Sequence, residues 1–387
     1  MFYRDLKNIS EPSVVNMPTV TENSRLSYVR KGLFILLAVS FFLLSLNLLG
    51  ATFQRTSSWA FPNILSITQN PFISLFIGLL ITALIQSSST VTSIIVAAVA
   101  AGTLPLTQAI PMVMGANIGT TLTSALVSLG FITQRNEFKR AIGAGTVHTF
   151  FNIITVCVLL PLELYTGALS DVSLAIAGWL SPAGEQALAS TDDFTYGFWH
   201  TLISLEWLNQ GIKTDIVLIV ISLVMLFVSI KWLASLIYQL FIGRFKANFQ
   251  HLVFSSRWRA FAWGGALTAA VQSSSVTTPL VVPLVATGKV SLRKCFPYII
   301  GANLGTTITA LLAALFHSQA ALSIAITHVL FNLVGVLLFL PKTSVGNIPV
   351  RLALQLGRFT TANRLVGFAF VLLTFFLIPF LLIYLHN

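Results

Sequence analysis

The tetrapeptide Gln-Ser-Ser-Ser occurs twice, at Gln86, Ser87, Ser88, Ser89 and again at Gln272, Ser273, Ser274, Ser275. Three successive hydroxyls can donate and accept hydrogen bonds, and each glutamine adds an amide. A helix starting at such a tip also turns its free N–H groups and positive dipole end toward the same point. Together these groups suit a tetrahedral oxyanion. One copy alone would serve equally as a small-residue stripe for close helix packing in lipid; the duplication favours a ligand site.

A second motif, Gly-Ala-Asn-x-Gly-Thr-Thr, also occurs twice and supplies Asn117, Thr120, Thr121 and Asn303, Thr306, Thr307. These are neutral oxygen donors, and its glycines let carbonyls be exposed where a helix unwinds. Hard cations prefer oxygen, and broken helices with hydroxyls and free carbonyls are how secondary transporters hold sodium. Helix capping and close packing are the other use of the same residues. A third pair, His148-x-x-x-Asn152 and His328-x-x-x-Asn332, places each asparagine one helical turn beyond a histidine. Asn152 and Asn332 are read as lining the ion site, and the histidines as hydrogen bonders between helices.

No Asp or Glu falls in the predicted membrane segments, and none follows Asp215. Intramembrane carboxylates are the usual proton relays, so the coupling ion should be one that neutral oxygens bind, and sodium fits. The tips also lack Lys and Arg. A bound anion would therefore draw its countercharge from bound sodium, each ion lowering the cost of burying the other. A hydrolase or transferase would need an acid–base or metal constellation at membrane depth. None is present, so the chain is read as neither an enzyme nor the holder of a cofactor.

The elements that position these motifs follow from a repeat. Thr82–Leu129 aligns with Thr268–Leu315 without a gap at an offset of 186 residues, and the His/Asn pair continues the match at 180. Identity concentrates at polar and small positions rather than at membrane-filling ones. Composition supplies the setting: of 387 residues, 56% are hydrophobic and 9% charged, against about 25% charged in soluble domains. The formal net charge of +11 sits in short loops, where it orients a membrane protein rather than binding nucleic acid. Cys157 and Cys295 show neither disulfide nor metal-ligand spacing.

Charge placement sets the topology. Arg25, Arg30 and Lys31 place the N-terminus inside, as do Arg135, Lys139, Arg140 and Arg244, Lys246, Arg257, Arg259 for two later loops, whereas 163–215 is acidic and lies outside. The stretch 71–101 then begins and ends outside, with arms too short to cross, so it is a re-entrant hairpin; 260–288 dips from inside. The predicted fold is an all-α polytopic membrane protein with two inverted-topology repeats, each containing a re-entrant hairpin. Its parts are a cytoplasmic tail at 1–31, a first repeat at 32–162 with the 71–101 hairpin, and a non-cytoplasmic acidic loop at 163–214. A second repeat at 215–341 carries the 260–288 hairpin, and 342–387 holds an interfacial segment and a terminal transmembrane helix.

The doubled Gln-Ser-Ser-Ser and Gly-Ala-Asn-x-Gly-Thr-Thr, with Val147-His148-Thr149-Phe150-Phe151-Asn152 and Val158–Glu163, resemble the type II sodium-dependent phosphate cotransporter family. The resemblance covers about 75–170 and 265–340, and the short termini look more like bacterial members. It implies inorganic phosphate held between the two serine tips, sodium near Asn117–Thr121, Asn303–Thr307 and Asn152, and a multi-pass protein of the cell membrane that imports phosphate with sodium. Export, or another oxyanion, is the alternative, and the resemblance leaves the oligomeric state open. Electrogenic vertebrate members read His-Asp-Phe-Phe-Asn with the Asp assigned to a sodium site; Thr149 stands here instead, which implies weaker or absent net charge movement.

Overall fold

The computed structural model describes residues 22–56, 68–180, 212–241, 249–315 and 318–386. Among the described residues every regular element is helical. Among the described residues six helical runs are long and apolar enough to cross a membrane: Gly32–Phe53, Leu106–Leu129, Arg135–Thr166, Leu292–Ala314, Gln319–Phe339 and Leu365–Leu385. Leu33, Leu84, Leu337 and Leu385 are each more than 60% exposed, as expected of side chains that face hydrocarbon rather than a core. The chain is a polytopic membrane protein, all-helical in its regular elements among the described residues.

Helix α1 is Glu22–Thr56, followed by α2 (Pro71–Ile85) and α3 (Ser88–Ala100). At 15 and 13 residues, α2 and α3 reach only about 22 and 20 Å, short of a ~30 Å hydrocarbon layer. Asn70 starts α2 by accepting a bond from the Phe72 N–H at 2.9 Å, with Pro71 at the first helical position. Gln86 ends it in the left-handed region at φ 57°, a conformation that costs a non-glycine residue and persists only where its surroundings enforce it. Ser87 then caps α3, its Oγ accepting from the Thr90 N–H at 3.3 Å.

The chain continues through α4 (Leu106–Gly119), α5 (Leu122–Leu129), α6 (Arg135–Thr166), α7 (Ala168–Leu180), α8 (Ile212–Phe241) and α9 (Phe249–Phe254). The second copy of the short-helix pair begins with α10 (Arg257–Val271), which ends at Gln272 in the same left-handed conformation, φ 53°. Its second arm is broken into α11 (Ser274–Thr277) and α12 (Val281–Ala286). Pro279 and Pro283 stand where the first copy has Ser93 and Ala97, and proline removes a ladder hydrogen bond. Then follow α13 (Leu292–Gly305), α14 (Thr307–Ala314), α15 (Gln319–Phe339), α16 (Ile348–Ala362) and α17 (Leu365–Leu372), which passes through a π turn at Leu373–Leu377 into α18 (Ile378–His386).

Each first arm is pressed backbone to backbone against the helix that carries the Gly-Ala-Asn motif. A methyl group on Gly115 would overlap the Leu75 carbonyl of α2, and one on Gly301 would overlap the Phe261 carbonyl of α10. Gly78 meets the Met112 carbonyl and Gly264 the Tyr298 carbonyl in the same way. All four contacts obey the 186-residue offset of the sequence repeat.

Of the expected acidic loop, Glu163 lies at the end of α6, where its carboxylate accepts from the Leu169 N–H at 2.7 Å and from Ser170, so it caps α7. Residues 181–211 of that loop and 1–21 of the expected tail lie outside the described residues, whereas 168–180, 212–214 and 22–31 are helical, as parts of α7, α8 and α1. Helix α16, the expected interfacial segment, buries Pro349, Val350, Ala353, Gly357 and Thr360 and runs antiparallel along the start of α6. Arg135 Nε donates to the Thr361 carbonyl at 3.1 Å, and a methyl group on Gly357 would strike the Lys139 carbonyl.

Candidate functional site

The two left-handed glutamines bring the serine tips into contact. Ser89 Oγ donates to the Gln272 carbonyl at 3.0 Å, and its counterpart Ser275 Oγ donates to the Gln86 carbonyl at 2.9 Å. Ser88 Oγ donates to Thr120 Oγ1 at 3.2 Å, and Thr120 Oγ1 also lies 3.4 Å from both Ser274 Oγ and Ser275 Oγ. Thr120 thereby joins one Gly-Ala-Asn motif to both tips. Ser87 Oγ is 2.9 Å from Thr90 Oγ1, whereas Ser273 makes no side-chain cap on α11. Ser88, Ser89, Ser274 and Gln272 are buried and Gln86 is exposed.

A closed ring of hydrogen bonds lies beside the tips. Asn152 Nδ2 donates to the Asn117 carbonyl at 2.5 Å, and Asn303 Nδ2 donates to Asn152 Oδ1 at 3.0 Å and to Asn332 Oδ1 at 2.5 Å. Asn332 Nδ2 donates to the His328 carbonyl at 3.1 Å, and His328 Nε2 completes the circuit 3.1 Å from Asn117 Oδ1. Asn117 Nδ2 is committed to the Val113 carbonyl at 2.9 Å, so Asn117 Oδ1 is the acceptor and His328 carries its proton on Nε2. All five residues are at most 2% exposed. His148 lies beside Asn303, yet neither ring nitrogen nor Asn303 Oδ1 has a hydrogen-bond partner of good geometry.

The remaining motif threonines divide. Thr121 and Thr307 donate alike to the carbonyls of Ile118 at 2.8 Å and Leu304 at 2.7 Å and Thr306 to that of Ala302 at 3.0 Å, but only Thr121 Oγ1 also meets another hydroxyl, 2.7 Å from Thr149 Oγ1. The expected unwinding is slight. Thr120, Thr121 and Thr306 keep right-handed backbone angles, so each long helix is nicked rather than opened.

Sequence reasoning missed four residues. A membrane hydroxyl ordinarily bonds the carbonyl one turn back, as Thr92, Thr146 and Thr155 do, but Thr82, Ser93, Thr309 and Thr327 are buried with no partner for the hydroxyl. Thr82 has a simple cause: its counterpart Thr268 bonds Thr277 at 2.6 Å, and Val91 replaces that partner in the first copy. Ser93, Thr309 and Thr327 sit on α3, α14 and α15, which all pack on one another. Isolated hydroxyls in apolar runs read as packing residues, so no sequence signal marked them.

The site is uncharged. Among the described residues no three of His, Cys, Asp and Glu stand close enough to hold a metal ion. What converges instead is serine and threonine hydroxyls, amide oxygens, the left-handed carbonyls of Gln86 and Gln272, and the N-termini of two half-helices. Such a set can coordinate an alkali cation through oxygen and bind an oxyanion through O–H and N–H donors.

Comparison with known proteins gives this geometry a context. The family model described as Na+/Pi-cotransporter matches residues 41–169 and 225–377, well over half of the chain and both copies of each motif. The sodium-dependent phosphate transport protein 2A of Rattus norvegicus is 31% identical over 413 residues, covering 87% of this chain and 65% of its own length. The 2B proteins of Bos taurus and Homo sapiens are 31% and 29% identical, covering 90% and 88% of this chain and 64% and 63% of theirs. The chain thus spans somewhat less than two thirds of these curated relatives. No solved structure matches it. A family match that takes in both serine tips and both Gly-Ala-Asn helices places this chain in the Na+/Pi-cotransporter family.

Proposed function

We propose that this chain couples inward sodium movement to uptake of inorganic phosphate by alternating access, in a cell membrane. The observation that carries the reading is the meeting of the serine tips, Ser89 to Gln272 and Ser275 to Gln86. Gln86–Ser89 and Gln272–Ser275 bind phosphate, and Asn117, Thr120, Thr121, Asn152, Asn303, Thr306, Thr307 and Asn332 bind sodium. The names of the relatives support both solutes. Ser93, Thr309 and Thr327 extend the sodium set, because a buried hydroxyl without a partner costs free energy that a cation would recover.

The fold behind this function consists of two inverted repeats, each with a re-entrant hairpin, in the domain arrangement read from charge. Reciprocal contacts at the tips are what a pseudo-two-fold axis in the membrane plane produces. Short arms meeting at mid-depth satisfy the rule that broken backbone in a membrane must be buried in protein or line a cavity. Phosphate enters a pocket that offers donors but no fixed positive charge, so sodium must be present to balance it. This makes coupling obligatory. Radiolabelled phosphate uptake into proteoliposomes, with sodium replaced by choline, tests the reading; uptake that persists undiminished in choline rejects it.

A further inference from the structure

Several positions are occupied by the same residue in both halves and yet make different contacts. Thr120 and Thr306 are counterparts, but Thr120 touches Ser88, Ser274 and Ser275 while Thr306 folds back onto its own helix at Ala302. His328 engages Asn117 at 3.1 Å, whereas in the corresponding pair His148 lies beside Asn303 without a hydrogen bond of good geometry. Asn117 bonds Val113 of its own helix; Asn303 instead reaches across to Asn152 and Asn332. Gln86 is exposed and Gln272 is 4% exposed.

The differences between the second arms follow from the sequence, since prolines replace Ser93 and Ala97. These four do not. At these four the residues are identical, and the Ser89–Gln272 and Ser275–Gln86 contacts and the glycine crossings around them repeat, so the two halves differ there in conformation. We infer that Thr120 and Thr306 are alternating positioning residues: in the state seen here Thr120 holds both serine tips, and in the opposite state Thr306 does so. In that opposite state Thr306 Oγ1 reaches Ser274, Ser88 and Ser89, His148 engages Asn303, His328 releases Asn117, and Gln272 becomes the exposed glutamine.

The inference rests on the alternating-access reading above and adds which side chains change partners. Neither phosphate nor sodium is needed to test it. Hydrogen–deuterium exchange is measured on the full chain in detergent, without either ion, comparing the tip segments around Gln86 and Gln272 in Thr120→Ala and Thr306→Ala. Removing the Thr120 hydroxyl weakens the present state, so exchange at the Gln272 tip should rise and at the Gln86 tip fall. Thr306→Ala should shift both tips the opposite way, and Thr120→Ser and Thr306→Ser should match the parent protein. Should an alanine variant fail to fold, the isosteric Thr→Val change removes the hydroxyl with less loss of packing. Equal or same-sign shifts in the two variants overturn the inference, as does a Thr120 shift that the Thr306 variant does not reverse. Opposite shifts in a protein whose phosphate uptake ignores sodium would uphold the exchange while refuting the transport reading.

Discussion

Asn303 and Asn152 are joined side chain to side chain, Asn303 Nδ2 donating to Asn152 Oδ1 at 3.0 Å across the boundary between the two halves of the chain. Because both side chains are buried, each amide that loses its partner keeps an unpaired polar group. Asn152→Leu should therefore leave one hydrogen of Asn303 Nδ2 without its acceptor, the other still reaching Asn332, and leave the Asn117 carbonyl short of its donor. The expected loss is about 1–2 kcal/mol of stability, read as a fall in melting temperature in detergent. If Asn152 also binds sodium, the sodium concentration for half-maximal uptake should rise in the same variant.

Ser88→Ala and Ser274→Ala each remove a hydroxyl from a tip without changing helix propensity by more than a few tenths of a kcal/mol. A hydrogen bond to a charged acceptor is worth about 1.5–3 kcal/mol, so phosphate affinity should fall roughly 10- to 100-fold. Surface amount and melting temperature should stay near those of the parent. Unchanged uptake kinetics in both variants would remove the serine tips from the phosphate site.

Gly115→Val and Gly301→Val test the helix crossings. Each side chain would be driven into a main-chain carbonyl, of Leu75 or Phe261, which cannot move aside as a flexible side chain would. Overpacking of this kind costs about 1–3 kcal/mol or more. Both variants should give little folded protein by size-exclusion chromatography, in contrast to valine at Gly32, where no atom lies within 4 Å of the added Cβ position.

Thr149→Asp addresses the charge balance. Thr149 Oγ1 lies 2.7 Å from Thr121 Oγ1, so an aspartate there would present a carboxylate to the sodium set. Phosphate should evoke little or no current in the parent protein and a sodium-dependent current in the variant, recorded on supported membranes. A robust current from the parent would contradict the proposed absence of a charged ligand.

Much of this arrangement was legible in the sequence, for definable reasons. A 186-residue offset that preserved Gln, Ser, Asn and Gly rather than Leu and Val marked polar groups held at membrane depth, and these residues do converge. The 15-residue α2 was visible as an apolar run too short to cross, ending where Gln86 breaks the helix. Thr120 was assigned to the cation set, and its contact with both tips was not foreseen, because the sequence holds an identical threonine at 306 that behaves differently. Ser93, Thr309 and Thr327 escaped for the complementary reason. A hydroxyl in a membrane helix is unremarkable until its usual carbonyl partner proves to be unused, and only coordinates reveal that.

The glycine crossings carry one more implication. Where Gly78 and Gly115 lock α2 to α4, and Gly264 and Gly301 lock α10 to α13, each pair of helices must travel as a single plank. The serine tips then cannot flex independently of the helices beneath them. Under the proposed alternating access, opening to one side of the membrane and then the other would be a rocking of two stiff bodies over a hydroxyl-lined pivot, and the distance a phosphate would be carried by the protein itself would be very small.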